Sequence, residues 1–339
     1  MDPVSHLLFA RMLAALRDER HTSRALVVAT TAGGMAPDVD AVLMGAGWDI
    51  YLRWHEAGTH SLVGTLATAV LTAAVVRYGA RDTPWPALIL AAWVGTLSHV
   101  VFDLVSSATL QPFWPLSSWR LTAPVVAMAD PLAIACLLAG AAALYVWPRR
   151  PRQAAMVALT LLAVLCAAKL VTRSWATAVY RQASGPEVVR TGTEAAWGSW
   201  RDWLFFDRTA TGDVRAWSVD GWSGVPHLRF TQATREGTDV ALASRRQFAT
   251  ARNFAQVHPY AFVTREPREG GHVVFWSDAR FCWTADEAAD PQEGVPHQDV
   301  RPPWTPLRCA MWFGGSLDRD GQPVEALVWL GGHLQRRSP

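Results

Sequence analysis

The first half of the chain places a few ionisable side chains inside apolar sequence. Asp38 and Asp40 follow Pro37, two residues apart, and His99 precedes Asp103 by four residues. An aspartate near the centre of a membrane helix costs roughly 2.5–3.5 kcal/mol, so these carboxylates need a counter-charge. The apolar segments contain almost no lysine or arginine. We therefore predict that a divalent cation supplies the positive charge.

Several side chains of this kind form the candidate ligand set of the apolar segments. They are Asp38, Asp40, His55, His60, His99, Asp103 and Asp130. Nitrogen and carboxylate oxygen donors without thiolate suit zinc, our first choice, and also manganese, iron or magnesium. Because the set exceeds one tetrahedral shell, we expect one or two ions.

Such a cluster is suited to hydrolysis. A metal ion turns bound water into a nucleophile near neutral pH, and two ions can clamp a phosphoryl oxygen. A carboxylate that is not used for coordination can act as general base. We assign catalytic roles to Asp40, His60 and Asp103 and expect a phosphoester or another lipid-linked bond as the target. A non-enzymatic membrane protein that binds or transports metal would use the same residues.

The segment His55-Glu56-Ala57-Gly58-Thr59-His60 resembles an HExxH zinc motif but has the wrong spacing. At 3.6 residues per turn, positions five apart lie about 140° apart around a helix. The two histidines can share a metal only if Gly58 breaks the helix. We therefore predict a loop histidine followed by one at a helix start. Purely structural roles are an alternative for single residues: His99 alone can be a packing histidine, and Asp130 can simply mark the end of a helix.

Long apolar segments must position these residues. At about 20 residues per span, four are long enough to cross a bilayer, and a fifth is interrupted by aspartates: His60–Val76, Trp85–Leu110, Ala123–Trp147, Gln153–Val171 and Ala25–Gly47. Val4–Leu16 is apolar with Arg11 in its middle, which is typical of a short helix on the membrane. We predict an α-helical membrane bundle of about five spans plus this short helix, within residues 1–171.

Arginine placement predicts the orientation of this bundle. With five spans, the arginines within residues 11–24, 77–81 and 149–152 all lie on the same side of the membrane. Because positive loops face the cytoplasm, the loops with Arg53 and Arg120 and everything after Val171 should lie outside it. Lys169 and Arg173 are exceptions to this rule. We expect a multi-pass protein of the inner membrane, in contact with lipid, with the candidate ligands near the outer ends of their spans.

Residues 172–339 have a different character. They hold 19 Lys/Arg and 19 Asp/Glu, against 12 and 10 in residues 1–171, and 11 of the 18 tryptophans. Short aromatic or β-branched stretches predict a mainly β domain outside the cytoplasm: Trp203–Phe206, Val214–Val219, Val240–Phe248, His272–Trp283 and Val324–Leu330. Asp320-Gly321 suits a hairpin turn. Cys282 and Cys309 could form a disulfide in an oxidising compartment.

The composition excludes several other classes of protein. With 50% hydrophobic and 18% charged residues, the chain is too apolar for an all-soluble enzyme. A net charge of +2 without a basic face does not indicate a surface that binds nucleic acid. Four cysteines without CxxC spacing exclude a zinc finger or an iron–sulfur site.

Short motifs of the first 131 residues occur in an order that resembles a known family. They are Met1-Asp2-Pro3-Val4-Ser5-His6, Ala36-Pro37-Asp38-Val39-Asp40, His55 to Leu62, Ser98-His99-Val100-Val101-Phe102-Asp103, Leu110-Gln111-Pro112-Phe113 and Asp130-Pro131. The chain resembles the YdjM/YbcI-like membrane proteins, which are classed as metal-dependent hydrolases from their motifs. It is most similar to long bacterial members with a C-terminal extramembrane domain, and Trp276–Phe281 is similar to that family's tail.

The resemblance implies a role for His6 in the metal and catalytic cluster, which favours a spanning or re-entrant first helix. One departure matters, because Glu56-Ala57 replaces an Arg-Gly pair that is common in the family. The missing arginine weakens the case for an anionic substrate group at that position. A third interpretation also stays open, in which the bundle anchors an assembly or sensor protein whose β domain binds a partner.

Overall fold

The computed structural model describes residues 2–17, 23–106, 108–234, 238–284, 307–330 and 333–337. Contacts divide the chain into two compact units. The first comprises Met1–Ala46, Trp54–Trp175 and Glu194–Asp202, and the second comprises Gly47–Arg53, Ala176–Thr193 and Trp203–Pro339. A functional division at residue 171 stays a prediction.

Helices dominate the chain up to residue 184. They are α1 (Pro3–Ala15), α2 (Arg24–Gly33), a 3₁₀ helix (Pro37–Gly45), α3 (Trp48–Trp54), α4 (Leu62–Gly79), α5 (Trp85–Val105), α6 (Pro131–Val146) and α7 (Pro151–Ser184). Side-chain caps fix several of the starts: Ser61 Oγ accepts from the Gly64 amide at 3.0 Å, and Asp130 accepts from the Leu132 amide at 2.9 Å. Such caps satisfy amides that have no partner within the helix.

Within the described residues, α4, α5 and α7 are long and apolar enough to cross a membrane. The number rises to four if α2 and the 3₁₀ helix, which meet at a 49° bend, form one broken span. Five spans are therefore not confirmed. The predicted span Ala123–Trp147 is helical only over α6, because the Ala123 and Val125 amides bond to the Leu104 and Val105 carbonyls at the end of α5.

Small residues let α2 and α5 pack in direct backbone contact. A methyl group added to Gly33 would overlap the Ala92 carbonyl oxygen, and one added to Gly95 would overlap the Thr30 carbonyl oxygen. Alanines of α2, α4 and α5 fill the buried cluster around this crossing. Close approach through small residues is a common way for membrane helices to associate.

The second unit is mainly β. Its strands are β1 (Val188–Ala195), β2 (Trp203–Thr209), β3 (Val214–Val219), β4 (Pro226–Gln232), β5 (Ala261–Arg268), β6 (Gly271–Asp278), β7 (Cys282–Trp283), β8 (Arg308–Cys309), β9 (Met311–Asp318), β10 (Pro323–Leu330) and β11 (His333–Arg337). The sheet orders are β1-β2-β3-β4 and β11-β10-β9-β6-β5, with β7 and β8 as a separate pair. One core joins the two large sheets through Phe206, Phe275 and Trp312, among others. A second core lies against the helices α8 (Asp239–Gln247) and α9 (Ala249–Val257).

The predicted β domain is confirmed in outline, with one element wrong. Strands occupy four of the five predicted stretches at least in part, and Asp320-Gly321 lies in the turn between β9 and β10. Val240–Phe248, however, is mostly α8. Thr238 caps this helix, with Asp239 in the first turn and two arginines in the last, which suits the helix dipole.

The Trp276–Phe281 stretch has a structural role in the second unit. A disulfide joins the neighbouring Cys282 to Cys309. Asp278 is fully buried, and its carboxylate accepts from the Arg280 guanidinium at 2.9 Å and from the Tyr260 amide at 3.2 Å. Burial alone would raise the pKa of Asp278, but the charges of Arg280 and His258 hold that pKa below its usual value.

Candidate metal centre

Separate elements of the first unit bring seven of the eight predicted ligands together. α1 supplies His6, the 3₁₀ helix supplies Asp38 and Asp40, and α5 supplies His99 and Asp103. The turn between α3 and α4 supplies the two remaining histidines, His55 and His60. Within the described residues, three overlapping groups of these side chains could each hold a metal ion. This cluster of seven is called the His/Asp cluster below.

Breaks in the helices allow this convergence. α2 ends at Gly33, and the following 3₁₀ helix turns by 49°, so both of its aspartates reach the cluster. α3 ends at Trp54, and Glu56 adopts a positive φ of 64°. His55 therefore lies in the turn and His60 directly before the cap of α4, as the i, i+5 spacing predicted.

The centre of the cluster has the dimensions of a tetrahedral shell. His60 Nε2 and His99 Nε2 are 3.2 Å apart, and Asp103 Oδ2 lies 3.4 Å from the first and 3.1 Å from the second. Asp38 Oδ1 lies 3.6 and 3.4 Å from the same two nitrogens. Ligand bonds of about 2.0–2.1 Å in a tetrahedral zinc site place the ligand atoms about 3.3–3.4 Å apart. Five of the six separations in a tetrahedral set of these four donors thus lie at 3.1–3.6 Å. Within this set, His60, His99 and Asp103 form a group that could hold a metal ion.

The ring tautomers aim two lone pairs at this centre. His99 Nδ1 lies 2.8 Å from the Gly34 carbonyl, which can only accept, so Nδ1 carries the proton. Thr59 Oγ1 donates to Asp40 Oδ2 at 2.9 Å and must therefore accept from His60 Nδ1, 3.0 Å away. In the neutral rings both Nε2 atoms are left as acceptors facing each other. A cation between them removes this repulsion.

His6 lies at the edge of the tetrahedral set. Its ring stacks on His99 with centroids 3.6 Å apart, and its Nε2 is 3.1 Å from Asp103 Oδ1. The side chain is fully buried, yet neither ring nitrogen makes a well-aligned hydrogen bond among the described atoms. Buried imidazole nitrogens ordinarily have a partner. His6 is therefore in position to add a ligand to the same ion.

Asp40 forms the second half of the cluster together with the turn. Its two carboxylate oxygens each lie 3.2 Å from His55 Nδ1, and Oδ2 also lies 3.5 Å from His60 Nδ1. A carboxylate that contacts the far nitrogen of a metal-binding histidine fixes the ring and raises its basicity. Sequence reasoning missed Thr59, which completes this contact. Its position directly before His60 was the available signal.

Asp130 lies apart from the His/Asp cluster. Its carboxylate binds Lys169 Nζ at 2.7 Å, and both side chains are fully buried. The same carboxylate also caps α6, while Lys169 donates to the Ser199 carbonyl at 2.6 Å. Among the described residues, Asp130 belongs to none of the groups that could hold a metal. Lys169, which is an exception to the arginine-placement rule, thus provides the counter-charge that was expected for Asp130.

A family model for the YdjM inner membrane protein matches residues 1–176, which is more than half of the chain. The chain belongs to the YdjM inner membrane protein family. The matched region contains the whole His/Asp cluster as well as Asp130 and Lys169. It ends before the β strands, so the similarity of Trp276–Phe281 to the family's tail stays an expectation.

A curated relative matches part of the chain. It is the uncharacterized protein YfhP of Bacillus subtilis (strain 168), which is 28% identical over 123 residues. The alignment covers 36% of this chain and only 38% of YfhP. No solved structure matches the chain significantly.

Proposed function

We propose that this protein is an integral-membrane, metal-dependent hydrolase. The observation that carries the proposal is the pair of histidine Nε2 atoms 3.2 Å apart, which face each other with Asp38 and Asp103 alongside. Each ring carries its proton on Nδ1, so in the neutral rings both Nε2 atoms are acceptors and cannot hydrogen-bond to each other. Membership of a membrane family supports the setting of the site.

The residues divide into two groups by role. Asp38, His60, His99 and Asp103 would hold the ion, with His6 as an additional ligand. Asp40, Thr59 and His55 lie on the opposite side of the His60 ring and hold it in place. A Zn²⁺ ion, or another divalent ion, would supply a bound water of lowered pKa. A second ion at Asp40, His55 and His60 is a further possibility that the donor groups allow.

Hydrolysis of a phosphoester or another lipid-linked bond fits this arrangement. Water oxygen forms one bond to phosphorus, the bond to the leaving alcohol breaks, and the alcohol takes up the proton that the water loses. Asp40 lies outside the tetrahedral set and contacts the Nδ1 side of His60, so its catalytic role would be to keep this ring oriented and basic. Asp103 and His60 would act on the reacting groups by holding the ion.

The setting that we propose is the inner membrane, crossed by about five spans including α6 and the bent pair. The β domain would lie outside the cytoplasm. The arginine distribution supports this orientation. The disulfide between Cys282 and Cys309 supports it independently, because disulfides persist mainly in oxidising compartments.

The test starts from the full chain purified in detergent. Bound metal is measured by elemental analysis for the native protein, for Asp38→Ala and His99→Ala, and for the control Asp130→Asn/Lys169→Met, which removes both charges of the buried ion pair together. We expect about one ion per chain in the native protein and the control, with loss of most of it in the other two. Hydrolysis of generic phosphoesters and phospholipids should fall in parallel.

Two outcomes decide against parts of this proposal. Unchanged metal content in both alanine variants would remove the metal site itself. Stoichiometric metal that depends on Asp38 and His99, without hydrolysis of any ester tested, would favour the alternative of a membrane protein that binds or transports metal.

A further inference from the structure

The His/Asp cluster is accessible along one edge. The side chains of His6, His60 and His99 are fully buried, whereas Asp38 is 25% exposed and His55 is 27% exposed. Asp38 belongs to the proposed tetrahedral set, so this edge leads directly to the position where an ion would be held. A substrate must approach between the 3₁₀ helix and the turn that precedes α4.

The 3₁₀ helix lines this edge with apolar side chains. Val39 follows Asp38 and is 56% exposed, and Val42 is 72% exposed. Exposure of two valines to water beside the partly exposed Asp38 is unfavourable. They are suited to contact with the apolar part of a ligand or of the bilayer.

A second apolar element borders the turn. The aromatic loop, residues 111–119, is fastened to both ends of the turn, because the Gln111 amide bonds to the Glu56 carbonyl and the Leu62 amide bonds to the Pro112 carbonyl, each at 2.9 Å. It exposes 49% of Phe113, 90% of Leu116 and 52% of Trp119. The rings of Phe113 and Trp119 stack on each other.

The aromatic loop is continuous with a surface that faces lipid if α5 spans the membrane. It follows α5, whose Val101 is 53% exposed near the same end. Aromatic residues concentrate where apolar helices leave the bilayer. If α5 spans the membrane, the edge of the His/Asp cluster thus opens near the level of the lipid headgroups, between two apolar borders.

We propose that the substrate is a bilayer lipid with a phosphate group, which reaches the ion from the side. This inference rests on the proposed function and narrows its substrate. The phosphate oxygens would bind at the Asp38 edge, while the acyl chain stays against Val39, Val42 and the aromatic loop. A water-soluble phosphoester would gain nothing from these side chains.

Cobalt provides a readout that does not depend on turnover. The detergent-purified full chain is loaded with Co²⁺, and its visible absorption is followed during titration with phosphatidic acid in mixed micelles. Glycerol 3-phosphate is the matched water-soluble probe, and diacylglycerol is the lipid without phosphate. We expect phosphatidic acid to shift the spectrum at a concentration at least about tenfold lower than glycerol 3-phosphate, since one buried aliphatic group contributes about that much. Diacylglycerol should leave the spectrum unchanged.

The variant pair Val42→Gln and Leu116→Gln tests the apolar borders. Each should weaken the effect of phosphatidic acid about tenfold and leave that of glycerol 3-phosphate within about twofold. Leu228→Gln, at a position in β4 with 48% exposure, is the control and should match the native chain.

The outcomes separate the two proposals. If cobalt does not bind, the proposed function is wrong and this inference falls with it. If cobalt binds but both phosphates act at the same concentration, or the border variants behave like Leu228→Gln, the metal site stands and the lipid substrate is refuted.

Discussion

The first unit buries carboxylates in two places, and their partners differ. Asp130 is paired with Lys169, so this region is neutral without any ligand. In the His/Asp cluster, Asp38, Asp40 and Asp103 face imidazoles, which carry no charge in their neutral form. The first arrangement is complete as it stands, whereas in the second the charge of three carboxylates is offset when a cation binds or when the imidazoles are protonated. A buried carboxylate is therefore evidence for a metal site only when its partners carry no fixed charge.

The largest loss of stability is expected when the buried ion pair is broken. Lys169→Ala leaves Asp130 charged and unpaired in a fully buried position, which should destabilise the first unit by about 3–5 kcal/mol. Asp130→Asn/Lys169→Met removes both charges but keeps an acceptor to cap α6, and it should recover most of the loss. Thermal unfolding in detergent, followed by circular dichroism, measures both. Equal destabilisation by the single and double variants would contradict an ion pair as the cause.

The next effect concerns removal of the cation from the His/Asp cluster. Zinc at 100 times its dissociation constant should stabilise the native chain by about 2.7 kcal/mol, and a chelator should abolish this gain. Asp103→Asn should show little response to either treatment. Asp130→Asn/Lys169→Met should respond like the native chain, because its changes lie outside the cluster. If all three proteins responded alike, zinc would be binding elsewhere.

A smaller effect is expected where Thr59 positions His60. Thr59→Val keeps the shape but loses the hydroxyl that links His60 Nδ1 to Asp40, and zinc affinity should fall about 10- to 100-fold. Thr59→Ser should restore it. Thr68→Val is a matched control, since that buried hydroxyl bonds back to the Gly64 carbonyl of its own helix. Competition with a fluorescent zinc chelator gives the affinities, and a Thr59→Val value equal to the control would exclude the positioning role.

The smallest effect probes the surroundings of Lys169. Trp197 Nε1 donates to the Ala129 carbonyl, next to Asp130, at 3.0 Å. Trp197→Phe should cost about 0.5–1.5 kcal/mol, towards the lower end because the side chain is half exposed. Trp200→Phe is the control, since the bond from Thr172 goes to the backbone of Trp200. Zinc affinity should be unchanged in both, and a loss of zinc in either would mean that the two regions are coupled.

Much of the fold and the candidate site was accessible from the sequence. The spacing of the acidic and histidine residues in apolar segments predicted six of the seven members of the cluster, and the family resemblance alone implied the seventh, His6. The break between His55 and His60 followed from helix geometry. Apolar length, however, does not separate a helix from an extended stretch, so Ala123–Trp147 was assigned too long a span.

Other features depend on contacts that lie far apart in sequence. Lys169 and Asp130 are 39 positions apart, and neither has a neighbour that identifies the other. Asp130 was therefore counted as a metal ligand although its charge is neutralised by a lysine. Val240–Phe248 was predicted as a strand from its end residues, but the alanine, arginine and glutamine between them favour a helix.

The glycine contact between α2 and α5 has a consequence for how a cation is acquired. Gly33 and Gly95 hold the two backbones so close that the Gly34 carbonyl reaches His99 and fixes its proton on Nδ1. The orientation of this imidazole is thus established by helix pairing and needs no ion. Loading of a cation would then be a late and reversible step on an already assembled protein, in contrast to small zinc domains that stay unfolded until the metal arrives.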